Sequence, residues 1–322
     1  MRVIVFLIVS FVSTNVALFE LFGSSSYLIE KERQFLSFVT GSNLPPFILS
    51  MAEYIHTNAP LLEDEPYTSG SGSDGRLSTW FIPPGQVVVE WLAFSTVFIS
   101  IIACGPPRYV GKLRQPPTRI ARWLFYVCLG TLIAVVYFKF RAWFELGEWF
   151  AMLYLLQPCH VLLTGHTILA FLLIRENRFL SVTLFHVLFD LQWFTYVAIA
   201  LPDTRALIER NFFGEFFLFY FEHLLLILLP LIFTRTYFVA VTQTSVRQRI
   251  KRALFSLAWF GIHHIQVMTP LSLVSGVQIN YQTHLPQYAL PWFGRMYKVA
   301  ITTLSFGAII ICGFLLDPLV KR

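Results

Sequence analysis

Seven windows of this chain are apolar over a length sufficient to cross about 30 Å of hydrocarbon. They are Val87–Cys104, Trp123–Phe140, Tyr154–Ile174, Phe179–Ala200, Phe213–Phe233, Ala253–Val277 and Ala300–Leu316, and every second connection between them is basic. Arg108, Lys112, Arg114, Arg119 and Arg122 follow the first window, Arg175 and Arg178 the third, and Arg235, Arg247, Arg249, Lys251 and Arg252 the fifth, while Lys321 and Arg322 end the chain. These are 14 of the 24 Lys and Arg, and Glu176 is the only acid in those three connections. The positive-inside rule puts this set, and with it the C-terminus, in the cytoplasm. A composition of 56% hydrophobic and 13% charged residues with mean hydropathy +0.64 excludes a soluble globular domain. The expected fold is therefore an all-α, polytopic transmembrane helical bundle of about seven spans. The net charge of +6 follows from topology and calls for no nucleic acid.

Three regions are expected. Residues 1–19, MRVIVFLIVSFVSTNVALF, read as a signal peptide, because the apolar run is short and the following segment is polar. If it is retained as an N-terminal anchor, it becomes an eighth span and the other spans keep their orientation. Residues 20–79 form a luminal polar region that holds Glu20, Glu30, Glu32, Glu53, Glu63, Asp64, Glu65 and Asp74 and ends in the Gly/Ser-rich linker Thr68–Gly75. Residues 80–322 form the bundle. The four cysteines, Cys104, Cys128, Cys159 and Cys312, all lie in spans, so no disulfide framework is expected.

Two windows carry groups that a lipid-facing helix has no use for. Tyr154–Ile174 contains Cys159, His160 and His166, and Phe213–Phe233 contains Glu215, Glu222 and His223. An ionisable side chain at membrane depth costs roughly 2.5–3.5 kcal/mol on insertion, so such groups turn inward and mark candidate sites. Counted from the cytoplasmic charges at about 1.5 Å per residue, Asp190, His223 and His264 lie about 18 Å above the inner boundary, Cys159 about 24 Å and His166 about 14 Å. Cys159 and His166, seven apart, share a helical face, and His160 points about 100° away. Pro158 breaks or kinks the helix. If Gln157 caps a new segment with Pro158 in its first position, Cys159 sits in the first turn. Free N–H groups there stabilise negative charge on sulfur or on an oxyanion. A thiol beside imidazoles in this setting suggests covalent catalysis. Cys104, Cys128 and Cys312, without such neighbours, read as small inert hydrophobes, and His186 and His263 as interhelical hydrogen-bonding groups. Asp190 and Glu222 are expected to pair with neighbouring histidines.

Four places resemble the transmembrane protein 164 family of membrane acyltransferases that remodel phospholipids. Tyr154-Leu155-Leu156-Gln157-Pro158-Cys159-His160, followed by His166, resembles that family's Tyr-Leu-Leu-Asn-Pro-Cys-His stretch and its later histidine, with Gln157 in place of the asparagine. Glu222-His223 with Leu224–Pro230 resembles the start of its histidine helix. His264 with Leu271–Val274, then Asn280, resembles its Tyr-His helix and asparagine loop, and Pro291-Trp292 its Pro-Trp re-entry. The resemblance spans roughly residues 80–320, and the chain is also distantly similar to the androgen-induced membrane hydrolases.

The resemblance implies a nucleophile at Cys159 and an essential histidine at His223. Acyl chains would move from a donor phospholipid to a lysophospholipid, with ether-linked acceptors and polyunsaturated chains as the substrate class. His166, His264, Asn280, Asp190, Gln157 and Tyr281 are supporting or oxyanion candidates. Membrane phospholipids and lysophospholipids are the expected partners, an endomembrane such as the endoplasmic reticulum the expected location, and no cofactor is called for. Two rivals use the same residues differently. A metal-dependent lipid hydrolase would need three of His160, His166, His223, His264 and Asp190 to converge on zinc. A seven-helix receptor would need none of this chemistry, but the third span ends Ile174-Arg175-Glu176-Asn177 without an Asp-Arg-Tyr pattern.

Overall fold

A computed structural model describes residues 46–50, 84–107, 112–113, 118–200, 202, 212–239, 245–275 and 297–320. The regions read as 1–19 and, apart from 46–50, 20–79 lie outside them. The described residues are helical except for one short ribbon. In chain order the elements are α1 (Pro84–Ala103), β1 (Lys112–Leu113), α2 (Thr118–Leu146), a 3₁₀ segment (Trp149–Leu156), α3 (Pro158–Ile174), α4 (Arg178–Asp190), α5 (Trp193–Ala200), α6 (Phe213–Thr236), β2 (Phe238–Val239), α7 (Val246–Ile262), a π-helical segment (His263–Met268), α8 (Thr269–Ser275) and α9 (Tyr297–Val320).

Three continuous stretches are long and apolar enough to cross a membrane: Thr118–Leu146, Phe179–Ala200 and Gly214–Thr236. The 3₁₀ segment and α3 make a fourth if their 59° bend lies within one span. Val87–Ala103 and Lys298–Ile311 are shorter apolar helices. The protein is thus a helical membrane protein with three to four spans by length and composition among the described residues. The basic connections after the first and fifth expected spans meet directly, because β1 pairs antiparallel with β2, Lys112 opposite Val239 and Leu113 opposite Phe238. Two connections that pair strand to strand must lie on one side of the bilayer, as the charge pattern requires.

Packing separates the chain into two compact units, one of residues 1–104 and 260–305 and one of residues 105–259 and 306–322. In the second unit α3 is the central element. Its buried residues include His160, Leu162, Leu163, His166, Leu169, Ala170 and Leu173, and one stripe, Val161, Ile168 and Phe171, stays exposed. α2, α4 and α6 pack against it. α2 spans about 44 Å and buries one stripe, Ala121, Leu124, Cys128, Thr131, Val135, Lys139 and Ala142, at spacings of three and four. Its other face presents Trp123, Tyr126, Ile133, Tyr137 and Phe144, and α6 likewise exposes Phe217, Tyr220, Phe221, Leu224 and Leu228. Water would penalise such continuous apolar faces, and lipid does not.

Three local devices fix the helices around α3. The turn into α4 satisfies the last carbonyls of α3 through Glu176 N–H to Leu173 and Asn177 N–H to Leu172, with Glu176 at φ +55°, and Asn177 then caps α4 by accepting from Leu180 N–H. Gly165 admits Leu188 of α4, whose Cδ2 would lie 2.5 Å from any Cβ placed there. Pro230 inside α6 deprives the Leu226 carbonyl of its helical donor, and Gln192, in the break between α4 and α5, donates its side-chain N–H to that carbonyl at 2.7 Å. Near the basic connections, Tyr237 is fully buried and its hydroxyl meets the backbone of Ala121 at the start of α2.

In the first unit, Gln266 of the π-helical segment donates to Ser95 of α1, and Lys298 of α9 lies 4.0 Å from Glu90 of α1. Gly261 accommodates the Phe98 ring, which a Cβ would meet at 2.1 Å.

Candidate active site

Pro158 has no N–H, so an α-helical ladder cannot run through it, and the residue before it is forced out of the helical region. Gln157 accordingly sits at φ −58°, ψ 146°, the 3₁₀ segment ends, and α3 starts afresh with Pro158 in its first position after a 59° bend. Cys159 and His160 are the next two residues. Their amides have no partner within the helix, and the first helical bond is Val161 N–H to Gln157 C=O at 3.1 Å. Gln157 caps with its backbone alone, since its side chain makes no capping hydrogen bond.

Opposite this turn, α6 presents two adjacent residues, Glu222 and His223, both buried. Glu222 Oε1 lies 2.8 Å from His160 Nδ1, and the same nitrogen lies 3.7 Å from the half-buried Cys159 Sγ. A carboxylate accepts, so the proton of this pair sits on His160 Nδ1 whenever Glu222 is ionised, with the sulfur beside it. His223 Nδ1 donates to the Phe219 carbonyl at 2.7 Å. That bond fixes the neutral ring as the tautomer whose lone pair is on Nε2. Nε2 is buried and has no hydrogen bond of ordinary geometry, and the His223 side chain interacts with Cys159. The sulfur is therefore flanked by an imidazole N–H held by a carboxylate and by an imidazole lone pair held by a carbonyl.

Helical geometry alone turns His160 about 100° from Cys159. In the first turn the ring is long enough to swing its Nδ1 back toward the preceding side chain, and Glu222 fixes it there. The signal available was the pairing of two dipeptides, Cys159-His160 on one helix and Glu222-His223 on another.

The other candidates have contacts of their own or lie outside the described residues. His166 Nδ1 donates to the Leu162 carbonyl at 2.8 Å, and its ring stacks on Phe233 with centroids 5.9 Å apart. Asp190 is paired with Arg252: Nη2 lies 3.0 Å from Oδ1, Nε donates to Oδ2 at 3.1 Å, and Ser256 donates to the same oxygen at 2.9 Å. Arg252 is buried and is Asp190's partner, so it does not mark the inner boundary, and the count that matched Asp190 with His264 loses its origin. A guanidinium draws a carboxylate into a bidentate pair that no neutral imidazole matches. Glu215 is paired with Lys139 of α2 at 2.9 Å. His264 lies in the first unit, on the π-helical segment, with Nδ1 donating to the Phe260 carbonyl at 3.2 Å. Asn280, Tyr281 and Pro291-Trp292 lie outside the described residues.

Helices with apolar outer faces and a cysteine–histidine cluster in their interior define a polytopic membrane protein with a candidate nucleophile. A Transmembrane protein 164 homolog from Dictyostelium discoideum is 26% identical to the chain over 141 residues, 44% of this chain. The match covers 47% of that relative, so the chain spans about half the length of the protein it resembles. It bears out the resemblance to the transmembrane protein 164 family, and the relative's name specifies no activity. No family model and no solved structure matches the chain.

Proposed function

We propose that this protein is an integral membrane acyltransferase that remodels phospholipids through a thioester on Cys159. The observation that carries the reading is the placement of Cys159 in the first turn of a broken helix, between His160 and His223. A structural cysteine needs neither neighbour.

In the first half-reaction His223 Nε2 takes the thiol proton and Cys159 Sγ attacks the ester carbonyl of a donor phospholipid. The carbonyl oxygen becomes an oxyanion, which the first-turn amides of Cys159 and His160 are placed to receive. Collapse breaks the ester C–O bond, and the leaving lysophospholipid alkoxide takes the proton from His223. In the second half an acceptor lysophospholipid gives its hydroxyl proton to His223, its oxygen attacks the thioester, and the C–S bond breaks to a thiolate that takes the proton back from His223. His160, oriented by Glu222, keeps its protonated nitrogen 3.7 Å from the sulfur and stabilises it electrostatically while it is anionic. A thioester is more reactive toward a positioned hydroxyl than the ester it came from, which favours transfer. Apolar outer faces on α2 and α6 suit lateral entry of lipids. Ether-linked acceptors, polyunsaturated chains, an endomembrane location and a cytoplasmic C-terminus complete the proposal.

The test is acyl transfer by the purified protein in vesicles, from an isotope-labelled donor phosphatidylcholine to a lysophospholipid. Label should reach the acceptor with wild-type protein and not with Cys159→Ser. Equal transfer by the two proteins would refute the reading.

A further inference from the structure

The cluster at Cys159 has more electron-pair donors than a cysteine–histidine pair needs. Cys159 Sγ, one nitrogen of His160 and one oxygen of Glu222 all lie within 4.8 Å of one another, and the side chain of His223, whose Nε2 is buried without an ordinary hydrogen bond, interacts with the same thiol. From these four groups we infer a site for a zinc ion that occupies the nucleophile and holds the protein inactive. The inference rests on the proposal that Cys159 forms the thioester.

Coordination chemistry favours zinc. Zinc takes sulfur, imidazole nitrogen and carboxylate oxygen as a tetrahedral set, at about 2.3 Å to sulfur and about 2.0–2.2 Å to the others, so neighbouring ligand atoms stand roughly 3.3–3.7 Å apart. The Sγ···Nδ1 separation of 3.7 Å is already of that size, and the Nδ1···Oε1 contact of 2.8 Å must open by a few tenths of an ångström. His223 has the support a metal-bound histidine requires, because its other nitrogen donates to a backbone carbonyl. Charge balances too. A divalent ion with one thiolate and one carboxylate is neutral, which a water-poor interior tolerates far better than a net charge. Binding expels the thiol proton to solvent and moves the His160 proton from Nδ1 to Nε2, with no change of oxidation state. With zinc bound, the sulfur lone pair and the base His223 are both engaged, so no acyl group can be accepted.

The test uses the full-length protein in lipid nanodiscs, with Co²⁺ as a spectroscopic stand-in and Zn²⁺ as the competitor. Wild type should bind one equivalent of Co²⁺ with a thiolate-to-metal charge-transfer band and intense tetrahedral ligand-field bands, both displaced by Zn²⁺. Cys128→Ser should keep them, Cys159→Ser should lose the charge-transfer band, and Glu222→Gln should weaken binding at least tenfold. Thioester formation should stop when zinc is added and return when a chelator removes it. Absence of the charge-transfer band from wild type that still forms the thioester overturns the zinc site and leaves the acyltransferase reading standing. Equal binding by Cys159→Ser also overturns the site. If the chelator abolishes transfer and zinc restores it, zinc is a cofactor and both the inhibitory site and the cysteine mechanism fall.

Discussion

The clusters around Asp190 and Cys159 are both assembled from ionisable groups in the interior of the same unit, yet their charges close differently. Asp190 meets one guanidinium through both carboxylate oxygens and gains a serine hydroxyl, so the cation and anion cancel. Lys139 and Glu215 form a second closed pair. At Cys159 no Lys or Arg among the described residues is in contact with the carboxylate. Glu222 faces an imidazole, the thiol faces two imidazoles, and the position of each proton depends on its neighbours. Burial of a charge therefore does not identify a reactive site in this protein. A closed pair ties one helix to another, and an open set of proton acceptors around a nucleophile can do chemistry.

If this distinction is right, substitutions in the two clusters must separate activity from stability. His223→Ala should lower transfer by roughly 10²–10⁴-fold, the usual range for loss of a general base, while the protein accumulates and elutes from a sizing column as wild type does. Arg252→Ala should do the reverse. Removing one partner of a buried pair destabilises by about 3–5 kcal/mol, so abundance and the thermal midpoint fall, but transfer per folded molecule stays within twofold of wild type. Replacing the pair together, Asp190→Leu with Arg252→Met, should recover most of the lost stability. A large loss of specific activity in that double variant would erase the contrast between the clusters.

Smaller effects sharpen the contrast at the level of single cysteines. Cys128 is buried on the α2 stripe with no polar partner among the described residues, so Cys128→Ala should cost on the order of 1 kcal/mol of stability and leave transfer unchanged. Cys104, exposed at the end of α1, should tolerate Ala with no measurable change in thermal midpoint. Thiol-reactive lipid probes then report whether labelling follows Cys159 alone.

The helical bundle was legible because hydropathy windows and basic connections obey the bilayer, and the β1–β2 ribbon joins two connections that the charge pattern had put on one side. The helix break before Cys159 was legible because Pro158 acts through its own missing N–H. What could not be read was which buried charges pair. Asp190 and Arg252 are 62 residues apart, and so are His160 and Glu222, and a count of depth along single helices says nothing about which helices face each other. That count treated Arg252 as a surface marker, although a long side chain with a carboxylate partner is free to turn inward. Spans were similarly obscured where Pro158 bends one and the π-helical segment His263–Met268 interrupts another.

The central claim is that an acyl group resides on Cys159 during the reaction. Wild-type protein in phosphatidylcholine vesicles, quenched in acid without acceptor and digested, should yield a Cys159 peptide heavier by one fatty acyl chain. Hydroxylamine should remove that mass, and so should prior addition of a lysophospholipid that accepts the chain. Transfer of label to the acceptor with an unmodified Cys159 peptide at every time point, or undiminished transfer by Cys159→Ser, would contradict the account.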